Sequence, residues 1–178
     1  MPETLARLTL VLGGARSGKS RYAEAQALRS GLEPVYLATA QALDAEMQAR
    51  IDRHRDDRDR RWRTVEEPLE LAAVLRREAT AGRVVLVDCL TLWLTNMLLA
   101  KRDAAAARQE LLAALSASAG AVILVSNEVG LGVVPLGELT RQFVDGSGLL
   151  HQAVAAVAEH VVLMVAGLPL ELKRPAAG

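Results

Sequence analysis

Short continuous runs of apolar residues alternate along the chain with longer stretches of helical period. Five runs, at 8–12, 34–38, 83–87, 121–125 and 160–165, predict strands, and a further run at 168–172 predicts a sixth. Because the runs are nearly continuous rather than alternating, they predict strands buried on both faces, as in a parallel sheet covered by helices.

The stretches between the runs predict helices at about 19–29, 42–57, 68–80, 91–100, 104–117 and 136–158. The Gly-Ser-Gly sequence at 146–148 predicts a break in the last helix, because glycine interrupts helical backbone. This order predicts an α/β fold with a mostly parallel central sheet and helices on both faces. In such folds the crossovers are right-handed, and ligands bind at the C-terminal ends of the strands.

Composition narrows the class of protein. The 178 residues predict one domain over 1–178, and the 51% hydrophobic content excludes a disordered chain. A net charge of +0 and 3% aromatic residues argue against a nucleic-acid partner. We expect a cytoplasmic protein, since no apolar run could span a membrane and no signal-peptide pattern is present. The single cysteine, Cys89, excludes a disulfide framework and a thiolate metal cluster.

The segment 13–20 fits the P-loop pattern G-x-x-x-x-G-K-[ST] between a predicted strand and a predicted helix. Its glycines let backbone N–H groups point at phosphate oxygens, Lys19 can reach the β- and γ-phosphates, and Ser20 can hold Mg²⁺. A glycine-rich turn without a ligand is the alternative, and the order of strand, loop and helix argues against it. We therefore expect a P-loop NTPase-like fold that binds a nucleoside triphosphate through Gly13, Gly14, Ala15, Arg16, Ser17, Gly18, Lys19 and Ser20.

Asp88 follows four apolar residues at the end of the third predicted strand, like the acidic residue of a Walker B strand. Many strands end in aspartate, so this pattern alone has little weight. Beside a P-loop, it predicts that Asp88 and Ser20 together help to hold Mg²⁺.

The segment 50–63 contains seven arginines and four aspartates around His54. Charge alone favours a solvated helix face with ion pairs between successive turns. Helical spacing, however, places His54 on nearly the same face as Leu43, Met47 and Ile51. His54 is therefore either a core residue with its hydrogen bonds satisfied or a functional residue. The surrounding arginines would suit binding of an anionic phosphate.

Two more segments follow predicted strands and should lie at the same edge of the sheet as the P-loop. One is Thr39, Ala40 and Gln41, and the other runs from 127 to 132 as Asn-Glu-Val-Gly-Leu-Gly. Gly130 and Gly132 indicate either close approach to a ligand or a tight turn, and ordinary turn chemistry accounts for them equally well.

Four segments together resemble one enzyme family. They are Gly-Gly-Ala-Arg-Ser-Gly-Lys-Ser at 13–20, Arg-Ile-x-x-His at 50–54 followed by Arg58, Trp-Arg-Thr-x-Glu at 62–66, and Asn-Glu-Val-Gly-x-Gly-x-x-Pro at 127–135. In this order they resemble the bifunctional adenosylcobinamide kinase / adenosylcobinamide-phosphate guanylyltransferase family of cobalamin biosynthesis. The resemblance extends over almost the whole chain, from Leu10 to Lys173.

The resemblance implies that ATP or GTP phosphorylates adenosylcobinamide, and that GTP then transfers GMP to the product, with Mg²⁺ present. It implies a homotrimer with active sites near subunit boundaries. By position in the motifs, His54 matches the guanylylated nucleophile, and Lys19 belongs to the catalytic P-loop. Other residues match segments that line the nucleotide site: Thr39, Ala40, Gln41, Arg55, Asp56, Asp57, Arg58, Glu66 and Asp88.

The chain departs from the family pattern at Asp59, where proline is usual, and at His151, where asparagine is more frequent. Neighbouring positions keep the pattern: Phe143, Asp145, Gly148 and Gln152. Two other functions stay open. One is a single-activity P-loop small-molecule kinase in which His54 is structural, and the other is a non-catalytic NTP-binding switch.

Overall fold

The structure is a computed structural model and describes residues 5–41 and 59–174. Within these residues one sheet contains seven strands: β1 (Leu8–Gly13), β2 (Glu33–Ala38), β3 (Arg63–Glu66), β4 (Arg83–Asp88), β5 (Ala121–Asn127), β6 (His160–Val165) and β7 (Leu168–Lys173). Their order across the sheet is β3-β2-β4-β5-β1-β6-β7. Every neighbouring pair is parallel except β6 and β7, which confirms the mostly parallel α/β sheet.

Helices cover both faces of this sheet, as the sequence predicts. In the described part of the chain they are α1 (Lys19–Arg29), α2 (Leu71–Glu78), α3 (Leu90–Leu99), α4 (Ala104–Ala117) and α5 (Glu138–Val157). Apolar residues of α2, α3, α4 and α5 join the core on one face, and Ala23 and Ala27 of α1 join the core on the other. None of these five helices is long and apolar enough to cross a membrane.

The central strands send side chains alternately into the two cores, which explains their continuous apolar runs. In β1, Leu10 and Leu12 belong to the core beneath α2–α5, whereas Val11 belongs to the core beneath α1. In β4, Val85 and Leu86 divide between the cores in the same way. Each strand therefore requires apolar residues at successive positions, with no polar face left for water.

The structure adds one strand that the apolar pattern does not predict. β3 has the sequence Arg-Thr-Val-Glu and pairs in parallel with β2 at the edge of the sheet. The guanidinium of Arg63 donates to the carboxylate of Glu78, a buried residue at the end of α2. This hydrogen bond is the first cause of the lowered pKa of Glu78. Such a polar edge strand can be held by backbone pairing and ion pairs instead of continuous apolar residues.

The break predicted in the last helix is wrong, because α5 is continuous from Glu138 to Val157. A Cβ at Gly146 would lie 3.3 Å from Cδ2 of Leu94, a buried residue of α3. The glycine therefore allows α5 to pack closely against α3 rather than ending the helix. The helix predicted at 42–57 lies outside the described residues, together with His54, Arg55, Asp56, Asp57 and Arg58.

Candidate nucleotide-binding site

The P-loop folds into a tight curl between β1 and α1. Gly18 has a φ of 91°, in the left-handed region that favours glycine, and α1 begins at the next residue. A Cβ on Gly13 would lie 2.4 Å from Oγ of Ser17 and 2.9 Å from the carbonyl oxygen of Met164. Both glycines are thus required by the geometry of the loop, one by its φ angle and the other by close contact.

Lys19 lies inside this curl. Its side chain is buried, and its Nζ donates to the carbonyl oxygen of Gly14 over 3.0 Å. The N-terminus of α1, where the helix dipole is positive, begins at the same residue. The loop therefore brings together an ammonium group, a helix N-terminus and glycine-rich backbone, which is the arrangement that binds phosphate anions.

The P-loop also contacts the turn between β6 and β7. The carbonyl oxygen of Ser17 accepts a hydrogen bond of 3.0 Å from the backbone N–H of Gly167. The hydroxyl of Ser17 is buried and has no hydrogen-bond partner among the described residues. A buried hydroxyl in a phosphate-binding loop is a suitable partner for a ligand oxygen, because buried polar groups are normally hydrogen-bonded.

Asp88 ends β4 at the same edge of the sheet. One oxygen of its carboxylate, Oδ2, accepts a hydrogen bond of 2.8 Å from the hydroxyl of Tyr36 in β2. Tyr36 in turn contacts Trp62 edge to face, with ring centroids 5.7 Å apart. The sequence analysis did not single out Tyr36, although a hydroxyl within an otherwise apolar strand is a signal that could have identified it.

The oxygen donors at this edge are suited to Mg²⁺. The hydroxyl of Ser20 and the carboxylate of Asp88 are hard oxygen ligands, which Mg²⁺ prefers. The described residues contain no cluster of three histidine, cysteine, aspartate or glutamate side chains that could hold a metal on its own. At Mg²⁺ sites of this kind the protein gives one or two ligands, and nucleotide phosphates and water complete the coordination.

Thr39 links the end of β2 to the end of β4, next to Asp88. Its fully buried hydroxyl accepts a hydrogen bond from the backbone N–H of Cys89 over 2.9 Å and donates to the carbonyl oxygen of Cys89 over 2.7 Å. The amide of Asn96 donates to the carbonyl oxygen of Thr39 over 2.8 Å. The side chain of Thr39 thus orients the segment after β4, and only the partly exposed Ala40 and Gln41 extend beyond it.

Cys89 is not a reactive thiol. It is buried, its Sγ lies 3.2 Å from the hydroxyl of Thr91, and Thr91 accepts a hydrogen bond of 2.8 Å from the amide of Asn127. Burial, with a further effect of the neighbouring Asp88 charge, raises the pKa of the Cys89 thiol. The thiol therefore stays protonated and forms part of a polar cluster with Thr91 and Asn127.

The loop after β5 does lie against the P-loop, as the strand order predicts. The backbone N–H of Glu128 donates to the carbonyl oxygen of Gly13 over 3.0 Å. Oε1 of Glu128 accepts a hydrogen bond of 2.6 Å from the backbone N–H of Gly130. Gly130 thus lies in a tight turn, one of the two alternatives that its sequence position left open.

Glu66 lies farther away. It ends β3 opposite Ala38, four strand positions from β1 in the sheet. At the usual spacing of strands, Glu66 and the P-loop are separated by roughly 19 Å across the sheet. A nucleotide that touches both would have to extend across the ends of five of the seven strands.

A family model described as cobinamide kinase / cobinamide phosphate guanyltransferase matches residues 9–172. The chain belongs to this family. A relative from Pseudomonas aeruginosa, the bifunctional adenosylcobalamin biosynthesis protein CobP, is 60% identical over 166 residues, covering 92% of this chain and 96% of the relative. The bifunctional adenosylcobalamin biosynthesis protein CobU of Escherichia coli is 40% identical over 181 residues, covering 93% and 99%.

The fold also resembles solved structures that are distant in sequence. A solved ATPase domain has a TM-score of 0.52 and 14% identity, with 89% of this chain and 70% of that chain covered. The flagellar accessory protein FlaH from Methanocaldococcus jannaschii has a TM-score of 0.51 and 12% identity, with 95% and 79% covered. These likenesses support the P-loop NTPase-like fold of this cobinamide kinase / cobinamide phosphate guanyltransferase family member and nothing finer.

Proposed function

We propose that this protein phosphorylates adenosylcobinamide with ATP or GTP and then transfers GMP from GTP to adenosylcobinamide phosphate, giving adenosylcobinamide-GDP. The observation that carries the proposal is the family match over 9–172, on a chain whose P-loop has the curled conformation that phosphate binding requires. The relatives named bifunctional adenosylcobalamin biosynthesis proteins support two activities in the same biosynthesis.

In the kinase reaction, Lys19 and the backbone N–H groups of 13–20 would hold the β- and γ-phosphates. Bound Mg²⁺ would neutralise charge on the phosphates, held by Ser20 and Asp88. Tyr36 would keep the Asp88 carboxylate oriented, since its hydroxyl donates to one of the two oxygens. Charge stabilisation of this kind accounts for most of the catalysis in phosphoryl transfer.

In the guanylyl transfer, His54 would attack the α-phosphorus of GTP, forming a phosphorus–nitrogen bond and releasing pyrophosphate. The phosphate of adenosylcobinamide phosphate would then attack that phosphorus and release His54. A neutral imidazole is required for the attack, which the ordinary pKa of histidine allows at neutral pH. Support for this step is the Arg-Ile-x-x-His sequence at 50–54, in a segment outside the described residues.

The nucleotide-binding residues of the proposal form two groups. The described group consists of the P-loop 13–20, Thr39, Ala40, Gln41, Glu66 and Asp88, of which Thr39 acts through its neighbours because its side chain is fully buried. The second group, Arg55, Asp56, Asp57 and Arg58, accompanies His54. The separation of Glu66 from the P-loop suits a site that receives a triphosphate in more than one position along the sheet edge.

We further propose a homotrimer of a cytoplasmic, single-domain protein covering 1–178. Apolar side chains in the loop after β5 support the assembly, because Leu131, Val133 and Leu136 are at least 87% exposed and adjoin the site. Several large apolar side chains exposed close together are typical of a surface that contacts another protein. Light scattering after size exclusion tests the assembly, and a strict monomer would contradict it.

Radiolabelled GTP tests the central claim. With the label at the α-phosphate and Mg²⁺ present, the wild-type protein should become labelled through a bond that is labile to acid and stable to alkali. The variant His54→Ala should lose the label and keep phosphate transfer to adenosylcobinamide, whereas Lys19→Ala should lose both. Absence of label in a wild-type protein with kinase activity would instead favour the single-activity kinase with a structural His54.

A further inference from the structure

Three polar side chains beside the P-loop have no part in the function proposed above. Oε2 of Glu128 lies 4.0 Å from Nδ1 of His151, and Nε2 of His151 lies 2.7 Å from Oγ of Ser126. Ser126 and His151 are both buried, whereas Glu128 is partly exposed at the site. The three residues come from β5, the loop after it and the middle of α5, so only the fold brings them together.

Glu128 lies beside the P-loop, at the end of the strand between β1 and β4. Strand β5 lies between β1 and β4, with Asn127 opposite Gly13 and Val125 opposite Asp88. Glu128 is the next residue along the chain, and its N–H is bonded to Gly13. The backbone of Glu128 therefore lies between the P-loop and the end of β4, where Asp88 is proposed to hold Mg²⁺.

The kinase reaction needs a group at this place. The acceptor is a hydroxyl, and its proton must leave as the oxygen bonds to phosphorus, a task that a carboxylate performs in protein kinases. Asp88 is poorly suited to it, because its carboxylate is assigned to Mg²⁺. Glu128 has no such assignment.

One hydrogen bond and one longer electrostatic contact restrict the orientation of the Glu128 carboxylate. The N–H of Gly130 binds Oε1, which leaves Oε2 facing His151. Burial lowers the pKa of His151, and the nearby charge of Glu128 opposes this only in part, so the imidazole is neutral at neutral pH. The carboxylate favours the ring proton on Nδ1, and Nε2 then accepts a hydrogen bond from Ser126.

A general base must keep its negative charge in order to accept a proton. A neutral imidazole can orient a carboxylate without cancelling that charge. The same three residue types occur in hydrolases, but the hydroxyl of Ser126 is fully buried and cannot reach a substrate. The chain of contacts therefore serves Glu128, which is partly exposed, and not Ser126.

We propose that Glu128 is the general base of the kinase reaction and that His151, anchored on Ser126, is the residue that positions it. The acceptor oxygen forms a bond to the γ-phosphorus, its proton passes to Glu128, and the bond from the γ-phosphorus to the bridging oxygen breaks to release the nucleoside diphosphate. The inference rests on the kinase activity proposed above, and it adds a residue that activity needs.

The variant Glu128→Gln tests the base, since the amide keeps the size of the side chain and can still accept from Gly130. Phosphate transfer from ATP radiolabelled at the γ-phosphate to adenosylcobinamide should fall in kcat by about 100-fold or more, with KM for ATP nearly unchanged. Labelling of the protein by GTP carrying the label at its α-phosphate should persist, which reports a folded site. The matched control is Glu138→Gln, an exposed carboxylate at the start of α5, which should behave as wild type.

The possible outcomes distinguish a failure of the kinase function from a failure of the role of Glu128. A wild-type protein that transfers no phosphate to adenosylcobinamide contradicts the kinase function itself. An active wild type together with a Glu128→Gln variant of equal kcat overturns the role of Glu128 and leaves the kinase function in place. A loss confined to KM for ATP also overturns it, because that pattern indicates binding and not proton transfer.

Two substitutions of His151 test positioning. His151→Leu removes the group facing Oε2, and kcat should fall by about 10-fold with KM for ATP unchanged. His151→Asn supplies an amide donor, the residue type more frequent in the family, and should recover most of the lost kcat. Equal kcat in His151→Leu and wild type would exclude a positioning role, as would equal losses in both variants.

Discussion

The P-loop at 13–20 and the middle of α5 at 146–148 each contain a glycine in close contact with a neighbouring element, yet glycine has a different role in the two segments. In the P-loop, Gly18 is left-handed and Gly13 lies against the backbone of β6. In α5 the glycines have helical backbone, and the neighbour of Gly146 is the side chain of Leu94. Glycine is a requirement of the loop geometry in the first region and a packing allowance in the second.

The largest effect should come from Gly13→Ala. The added Cβ would lie 2.9 Å from the carbonyl oxygen of Met164, so β1 or β6 must shift. We expect a loss of about 3 kcal/mol in the free energy of unfolding, measured by urea denaturation. The control is Gly14→Ala in the same loop, where a Cβ meets nothing within 4 Å and stability should hardly change. Equal stability of the two variants would remove the contrast.

Gly18→Ala should have a smaller effect with a different cause. A Cβ here meets only ordinary contacts, the nearest being Cα of Gly167 at 3.5 Å, so the cost comes from the φ of 91°. We expect a loss of about 1 kcal/mol, since that is the penalty of left-handed backbone for an L-residue. A cost as large as that of Gly13→Ala would show that the two P-loop glycines are constrained in the same way.

The smallest effect, with the opposite sign, should come from Gly148→Ala. A Cβ at this helical position meets nothing within 4 Å, so alanine should stabilise the protein by up to about 1 kcal/mol through its helix propensity. Gly146→Ala should gain less, because its Cβ would press on Leu94 at 3.3 Å. Thermal unfolding of the two variants provides the comparison, and a destabilised Gly148→Ala would contradict it.

The apolar pattern predicts the central strands to within one or two residues, because β1, β4 and β5 are buried on both faces and must be apolar throughout. The requirement for apolar residues does not hold at the sheet edge, where β3 has one neighbouring strand and mostly polar residues. Prediction from local sequence also fails in α5, where it indicates a break and packing against α3 keeps the helix intact.

In the candidate site, too, some features are predictable from the sequence and others are not. A motif with fixed spacing predicts the P-loop, and the strand order predicts that Asp88 and Glu128 share its edge. The hydrogen bond between Tyr36 and Asp88 joins residues 52 positions apart, and the one between Ser126 and His151 joins residues 25 positions apart. Contacts of this kind depend on how whole elements pack, which local spacing does not encode.

The hydrogen bond from Gly167 to Ser17 links the C-terminal hairpin of β6 and β7 to the phosphate-binding loop. Any ligand that holds the loop in its curled form therefore also favours the paired form of that hairpin, by thermodynamic linkage. By the same reciprocity, a change that unpairs β7 from β6 weakens the binding of that ligand. The outermost strand on that side of the sheet thus contributes to the energetics of ligand binding at the P-loop.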